Sequence, residues 1–432
     1  MGDGARRAAD AVDRFYRIAE DGLCIGCGLC QSLAGPDLIR MARTPEGAER
    51  PVVQGDLDDA TVDRIYEVCP GTRIEGLPEA LIDEGTEVDA AWGPYLRMVR
   101  AFAAEPEVRF KGSTGGVLSA LAIYLLESRR VDFILHASAS KTNPTWGERH
   151  LSFDRAAVMA GAGSRYGPTA PLVDFGAVLD RGRPFAFVGK PCDVAALRNY
   201  GRGDPRVEQL CKLQMVPVCG GFMEPPGMRR FLAGLGVAEE ELTGFRYRGH
   251  GCPGPTRIET RDGRVIEKNY LDMWGEDEGA WSLPFRCKVC PDGIGEAADI
   301  AASDTWPGGS PTWEGQADDP GTNGVVARTR AGLDLLEAAA RDGSIVVERE
   351  ITPRDMDLYQ PHQVDRKHAV WARYVGLKAA GQLVPEVRRL RIEELARQND
   401  LAANLREARG TRRRARQGRA KEPRPRPARG VG

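Results

Sequence analysis

A chain of 432 residues, 42% of them hydrophobic, is long enough for two or three domains with a large buried core. It has no run of about 18 apolar residues, and its N-terminus lacks an apolar segment and a small-residue cleavage site, so neither a membrane span nor a secretory signal is expected, and a cytoplasmic location is. The net charge of −2 is unevenly spread: residues 406–432 hold eleven Arg or Lys against Glu407 and Glu422, so an acidic body precedes a basic tail.

In chain order, residues 1–20 read as an N-terminal extension. Residues 21–94 read as a small loop-rich iron–sulfur module followed by a linker rich in acids and Pro. From residue 95 the pattern becomes α/β. A helix over 118–128 precedes an apolar strand at 131–135, and a strand at 184–188 precedes a helix over 193–200. A hairpin turns at Asp262-Gly263, and a further strand–helix unit spans 322–340. The strand–helix alternation is of the parallel type and needs covering on both faces, so we divide this unit at residues 95–177 and 178–350, with the cysteine module packed against it. Residues 351–407 form a helical extension. Residues 408–432, rich in Arg and Pro and without interleaved aromatics, are expected to be a disordered, solvated tail rather than a nucleic-acid surface.

Ten cysteines in a reducing compartment point to metal or redox chemistry. The triple run Cys24-Ile25-Gly26-Cys27-Gly28-Leu29-Cys30 and the distant Cys69-Pro70 have the form of a 4Fe-4S site, since two-residue gaps let three thiolates fold around one cubane. A structural zinc site is the alternative, although zinc knuckles usually come as separated pairs. A second set is dispersed: Cys192, Cys219, and the knuckle Cys287-Lys288-Val289-Cys290. By spacing alone these are either a second cluster or ordinary buried thiols. Cys211 and Cys252 have no partner at ligand spacing and read as incidental.

The run Lys111-Gly112-Ser113-Thr114-Gly115-Gly116 opens a helix, and its glycines, hydroxyls and free amides suit a nucleotide phosphate, or simply an ordinary helix start. In Ser164-Arg165-Tyr166, Arg can hold a pyrophosphate and Tyr can lie against a flat ring, though either also suits a plain surface. The candidate cofactor contacts are Lys111, Ser113, Thr114, Gly115, Gly116, Ser164, Arg165 and Tyr166 of these two runs, together with Lys190 of Gly189-Lys190-Pro191-Cys192.

These motifs occur in a recognisable order, together with Gly189-Lys190-Pro191-Cys192, Val218-Cys219-Gly220 and Ala298 to Trp306. The chain resembles the beta-subunit family of deazaflavin (coenzyme F420) hydrogenases and dehydrogenases. That family includes 7-hydroxymethyl chlorophyll a reductase and a ferredoxin-type divinyl chlorophyllide 8-vinyl reductase. The resemblance implies FAD, a ferredoxin-like N-terminal portion and a second 4Fe-4S cluster in the C-terminal portion. It makes the α/β unit a flavin domain, with Ser113–Gly116 and Ser164–Tyr166 facing the flavin. Asp304 matches an acidic family position with a structural or a flavin-contacting role. The expected activity passes electrons from ferredoxin or a redox partner subunit through the clusters to FAD, which reduces a small-molecule substrate such as a tetrapyrrole side chain. The alternatives are a deazaflavin-oxidising beta subunit, and an electron-transfer subunit without catalysis of its own. Ser303 stands where the family often has Gly, and the region after about residue 380 has no family counterpart.

Overall fold

The computed structural model describes residues 3–275, 281–312 and 319–428, with side chains from residue 10 onward. Segments such as Phe133-Ile134-Leu135 and Phe185-Ala186-Phe187 are apolar at every position, and such strands must be covered on both faces. They lie inside an eight-stranded sheet built from β1 (Arg97–Ala103), β2 (Phe133–Ala139), β3 (Gly147–Ser152), β4 (Phe185–Val188), β5 (Cys211–Pro217), β6 (Ile300–Asp304), β7 (Asn323–Ala327) and β8 (Ile345–Glu350). The strand order is β8-β1-β7-β6-β5-β4-β2-β3. The pairs β2–β4, β4–β5 and β5–β6 are parallel, and the pairs on either side are antiparallel. The sheet is therefore mixed, where the strand–helix alternation suggested parallel pairing. Because β1 lies between β7 and β8, residues 95–177 and 178–350 share one sheet.

The two-residue period of a strand separates the two cores. Phe133, Leu135, Phe185 and Phe187 face one core, and Ile134 and Ala186 face the other.

The helices around the sheet and the cysteine segments include α1 (Asp3–Glu20), α2 (Leu29–Ala34), α3 (Asp59–Val68), α4 (Val117–Glu127), α5 (Pro191–Gly201), α6 (Arg330–Asp342), α7 (Pro361–Lys378) and α8 (Leu401–Arg416). Asp58 caps α3 by accepting from the Thr61 amide at 2.7 Å, and Thr329 caps α6 in the same way through Gly332.

The first cysteine segment has α2, α3 and an antiparallel hairpin of residues 39–43 and 49–53. Its core is not its own. Phe15 and Ile18 of α1 pack with Leu23, Ile39 and Ile65, and so do Val370 and Leu377 of α7 and Ala415 of α8. Residues 73–75 also pair, in parallel, with residues 386–388.

The expected disorder of residues 408–432 is corrected by the structure through residue 428; residues 429–432 lie outside the described residues. Helix α8 runs past Glu407 to Arg416 and buries Thr411 and Ala415. Beyond it, the buried Arg50 donates to the Glu422 carboxylate at 2.7 and 2.9 Å. Arg424 pairs with Glu20 at 2.6 Å and Asp13 at 2.9 Å, Lys421 pairs with Asp21, and the Ala428 amide donates to the Arg43 carbonyl. Composition counts the tail's charge but not the acids waiting on α1, nor the small residues at 408, 411 and 415 that give one side of α8 a packing face. Among the described residues, no helix is long and apolar enough to cross a membrane.

Candidate functional site

Gly26 and Gly28 adopt positive φ (72° and 86°), which lets the first cysteine loop fold tightly. A Cβ at Gly26 would overlap the Glu49 carbonyl, and one at Gly28 the Val173 backbone. Cys24, Cys27, Cys30 and Cys69 thereby line one small cavity, walled by apolar side chains including Phe15, Ile18 and Ile65. The amides of Gly26 and Gly71 donate to the sulfurs of Cys24 and Cys69, each at 3.4 Å. Burial pushes all four thiols up, Cys69 to about 12, and neighbouring thiols add to the effect at Cys27, Cys30 and Cys69. Among the described residues, no three His, Cys, Asp or Glu side chains are grouped to hold a single ion. Four sulfurs around a cavity, two of them with amide donors, fit a cluster core better than the tetrahedral zinc alternative.

The second set also converges. Cys192 is the second residue of α5, Cys219 follows β5, and Cys287 and Cys290 lie on and just after a short helix, Phe285–Lys288. Charges on Cys219 and Cys290 reach both Cys192 and Cys287. The loop after β5 is fixed by the Cys219 amide donating to the Gly293 carbonyl at 2.7 Å. The Cys219 carbonyl accepts from Gln363 at 3.0 Å and Arg366 at 2.9 Å.

The two sets adjoin. Buried Arg286 donates from Nε and Nη2 to the Pro70 carbonyl, at 3.1 and 2.9 Å, and its charge reaches Cys69 on one side and Cys290 and Cys192 on the other. Cys211 and Cys252 keep other company: the Cys211 thiol faces the Leu213 carbonyl, and Cys252 faces Asp319.

Cys219 and Cys287 open onto a cleft of about 1670 Å³. Of the candidate cofactor contacts, Ser113, Thr114, Gly116, Ser164, Arg165, Tyr166 and Lys190 line it. Lys111 and Gly115 do not: the Lys111 ammonium pairs with Glu107 at 2.8 Å, and Gly115 abuts Asn323. Gly116 is left-handed (φ 70°) and caps α4, so its backbone presents the helix start to the cleft. The Ser113 hydroxyl accepts from the Ser164 amide, which joins the two candidate loops. Lys190 is tied to Asp193 at 2.7 Å.

One firmly held group of the cleft was not legible in any motif. Arg248 is 3% exposed, donates to the Tyr166 hydroxyl at 3.1 Å, the Asp304 carboxylate at 3.1 and 3.3 Å and the Ser113 carbonyl at 2.8 Å, and its guanidinium lies 4.9 Å from the ring centres of both Tyr270 and Trp306. Asp304 therefore has a structural partner in Arg248. Nothing in Tyr247-Arg248-Gly249-His250 has motif spacing, and only the folded chain brings it beside Ser113. Trp274 stands edge-on to Tyr166, completing an aromatic wall that suits a flat ring. A pocket for one drug-sized molecule takes roughly 300–1,000 Å³, so this cleft has room for a dinucleotide cofactor and a second planar molecule.

Residues 98–175 match the family model for the coenzyme F420 hydrogenase/dehydrogenase beta subunit N-terminus, and residues 182–352 match that for its C-terminus, together more than half of the chain. A curated relative, the coenzyme F420 hydrogenase subunit beta of Methanosarcina barkeri (strain Fusaro / DSM 804), is 23% identical over 273 residues, covering 59% of this chain and 82% of the relative. A chain from the xenon-derivatised F420-reducing NiFe hydrogenase complex of Methanosarcina barkeri is 19% identical, with a TM-score of 0.47 over 65% of this chain and 95% of that one.

Proposed function

The chain belongs to the coenzyme F420 hydrogenase/dehydrogenase beta-subunit family, and on that premise we propose that it is an iron–sulfur flavoprotein subunit moving electrons between a redox partner and a deazaflavin coenzyme bound in the large cleft. The observation that carries the reading is the arrangement of eight cysteines as two adjoining fours, the second opening onto that cleft. A flavin, when bound, accepts electrons singly and releases them as a pair, which is the conversion needed between clusters and a two-electron substrate. FAD is the cofactor of this reading. The Ser113–Gly116 backbone and Arg165 would hold its phosphates, while Tyr166, kept in place by Arg248, would lie along a ring. Cys24, Cys27, Cys30 and Cys69 would ligate one 4Fe-4S cluster, and Cys192, Cys219, Cys287 and Cys290 another. Buried Arg286 holds positive charge between the two fours, which favours the more reduced state of either.

This places the deazaflavin coenzyme ahead of the tetrapyrrole substrate put first on the sequence, because both family models and the curated relative are described by that coenzyme. The test is anaerobic purification with iron, sulfide, zinc and flavin assays, followed by viologen-linked reduction of coenzyme F420. The expected result is roughly eight iron atoms, one FAD and turnover. Intact clusters with no flavin and no turnover would leave an electron-transfer subunit instead, and zinc in place of iron would end the reading.

A further inference from the structure

The C-terminal helices lie beyond residue 352, where the family match ends, yet they form one wall of the cleft. On α7 the residues facing it recur at helical spacing and include Asp365, Arg366 and Arg373; on α8 they include Glu407 and Arg414, and Arg419 follows the helix. The face is held in place by close packing, since a Cβ on Gly376 of α7 would overlap the Ala408 carbonyl of α8.

The charges on this wall do not cancel. Glu407 is engaged by Arg373 at 2.8 Å. Arg366 donates to the carbonyls of Cys219 and Gly220, and Arg414 to the Thr411 hydroxyl at 3.2 Å. Among the described residues, Arg366, Arg414 and Arg419 have no carboxylate partner within salt-bridge distance. Arg414 is partly buried, and burial together with the like charges of Arg373, Arg413 and Arg419, offset in part by Glu407, holds its guanidinium below the usual value. Four guanidiniums, of Arg366, Arg373, Arg414 and Arg419, share this wall with the two carboxylates of Asp365 and Glu407, and such an excess of cations at the wall of a cavity favours an incoming anion, for which arginine forks suit carboxylate or phosphate. These side chains belong to other elements than the candidate cofactor contacts on the loops before α4 and around Ser164.

We propose that this basic wall receives the carboxylate- or phosphate-bearing arm of the planar redox substrate, so that the protein selects acidic substrates over neutral molecules with the same ring. The proposal rests on the reading of the cleft as a flavin and substrate site. Two substrate classes share the required chemistry, a deazaflavin with an anionic arm and a tetrapyrrole with a free propionate, and the test separates them.

Equilibrium binding to the holoprotein, followed by fluorescence, compares two acid and neutral pairs: coenzyme F420 with its arm-free deazaflavin core, and chlorophyllide a with its methyl ester. The native protein binds at least one acid more tightly than its neutral counterpart, and added salt weakens the preference. In Arg414→Gln/Arg419→Gln that acid loses about tenfold or more in affinity, with flavin content and the neutral probe's affinity unchanged. Arg414→Lys/Arg419→Lys retains most of the preference, and Arg419→Gln alone, at an exposed position, gives part of the loss without risk to folding. Preference in the tetrapyrrole pair alone sustains the wall and sinks the deazaflavin reading. Equal binding of coenzyme F420 and its core, with no preference in the other pair, leaves the deazaflavin reading standing and overturns the wall. The proposal is also overturned if none of the four probes binds, if the Gln variant loses flavin, or if that variant impairs only electron exchange with an acidic protein partner.

Discussion

On the proposed reading each cysteine of the two fours supplies one sulfur to a shared cluster, so its loss should be read in metal and not merely in activity. Cys27→Ser is expected to halve the iron and spare the flavin, because the first four line a cavity away from the cleft. Cys290→Ser is expected to remove the other half and disturb the flavin, since Cys219 and Cys287 of the same four open onto the cleft. Cys211→Ala should change neither, and iron unaffected by Cys290→Ser would reduce the second four to buried thiols. A different residue sets an acid limit. His136 is buried beside Ser152 and edge-on to His150, and burial, with the like charge of His150, lowers it to about 4. The unfolded chain takes up this proton near pH 6.5 and the folded chain does not, so the stabilisation is complete above pH 6.5 and is lost as pH falls towards 4, on the order of 3 kcal/mol at most. Denaturant titrations between those pH values should show this slope, and His136→Asn should flatten it; an unchanged slope would mean other groups set the acid limit.

At the level of elements, the pairing of α7 with α8 and the segment after α8 hold the first cysteine module from outside. The Arg50 side chain is 5% exposed and that of Glu422 21%, so Glu422→Gln leaves a nearly buried guanidinium short of its counter-charge and should cost about 2 kcal/mol, less than a fully buried pair because water reaches the carboxylate. Gly376→Val should cost about 1–3 kcal/mol by forcing the helices apart. Both are measurable as shifts of the urea midpoint at constant slope, and a Glu422→Gln variant as stable as the native chain would show that the segment after α8 does not hold the module. The sequence showed elements best where local pattern decides them: α4 and α5 emerged within a residue or two of their expected limits, and the hairpin of residues 256–260 with 265–268 turns where expected. It misread α8 because propensity for disorder is judged on composition, whereas this helix is fixed by the close approach of Ala408 to Gly376, about thirty residues earlier in the chain, and by the burial of Thr411 and Ala415.

For the molecule as a whole, the same distinction separates the parts of the site that were legible from those that were not. Three cysteines at two-residue gaps announce themselves, but Arg248 touches Ser113, Tyr166 and Asp304, which are dispersed over the chain and meet only once the mixed sheet has formed. The parallel centre with antiparallel flanks was equally hidden, because apolar strand runs record burial on both faces and not the direction of a neighbour. The shared core predicts that a chain ending at residue 352, where the family match stops, keeps the sheet but loses iron from the first four, since Val370, Leu377 and Ala415 no longer cover Leu23 and Ile65. Full iron in that truncated chain would show the module to be self-sufficient. This dependence also sets a timetable. Proteins are made from the N-terminus, and early segments commonly fold before later ones emerge, but here Arg50 waits for Glu422 and the first cysteines wait for α7 and α8. On the proposed reading, the first module can take up its cluster only once nearly the whole chain has left the ribosome, so that loading falls at the end of synthesis and not during it.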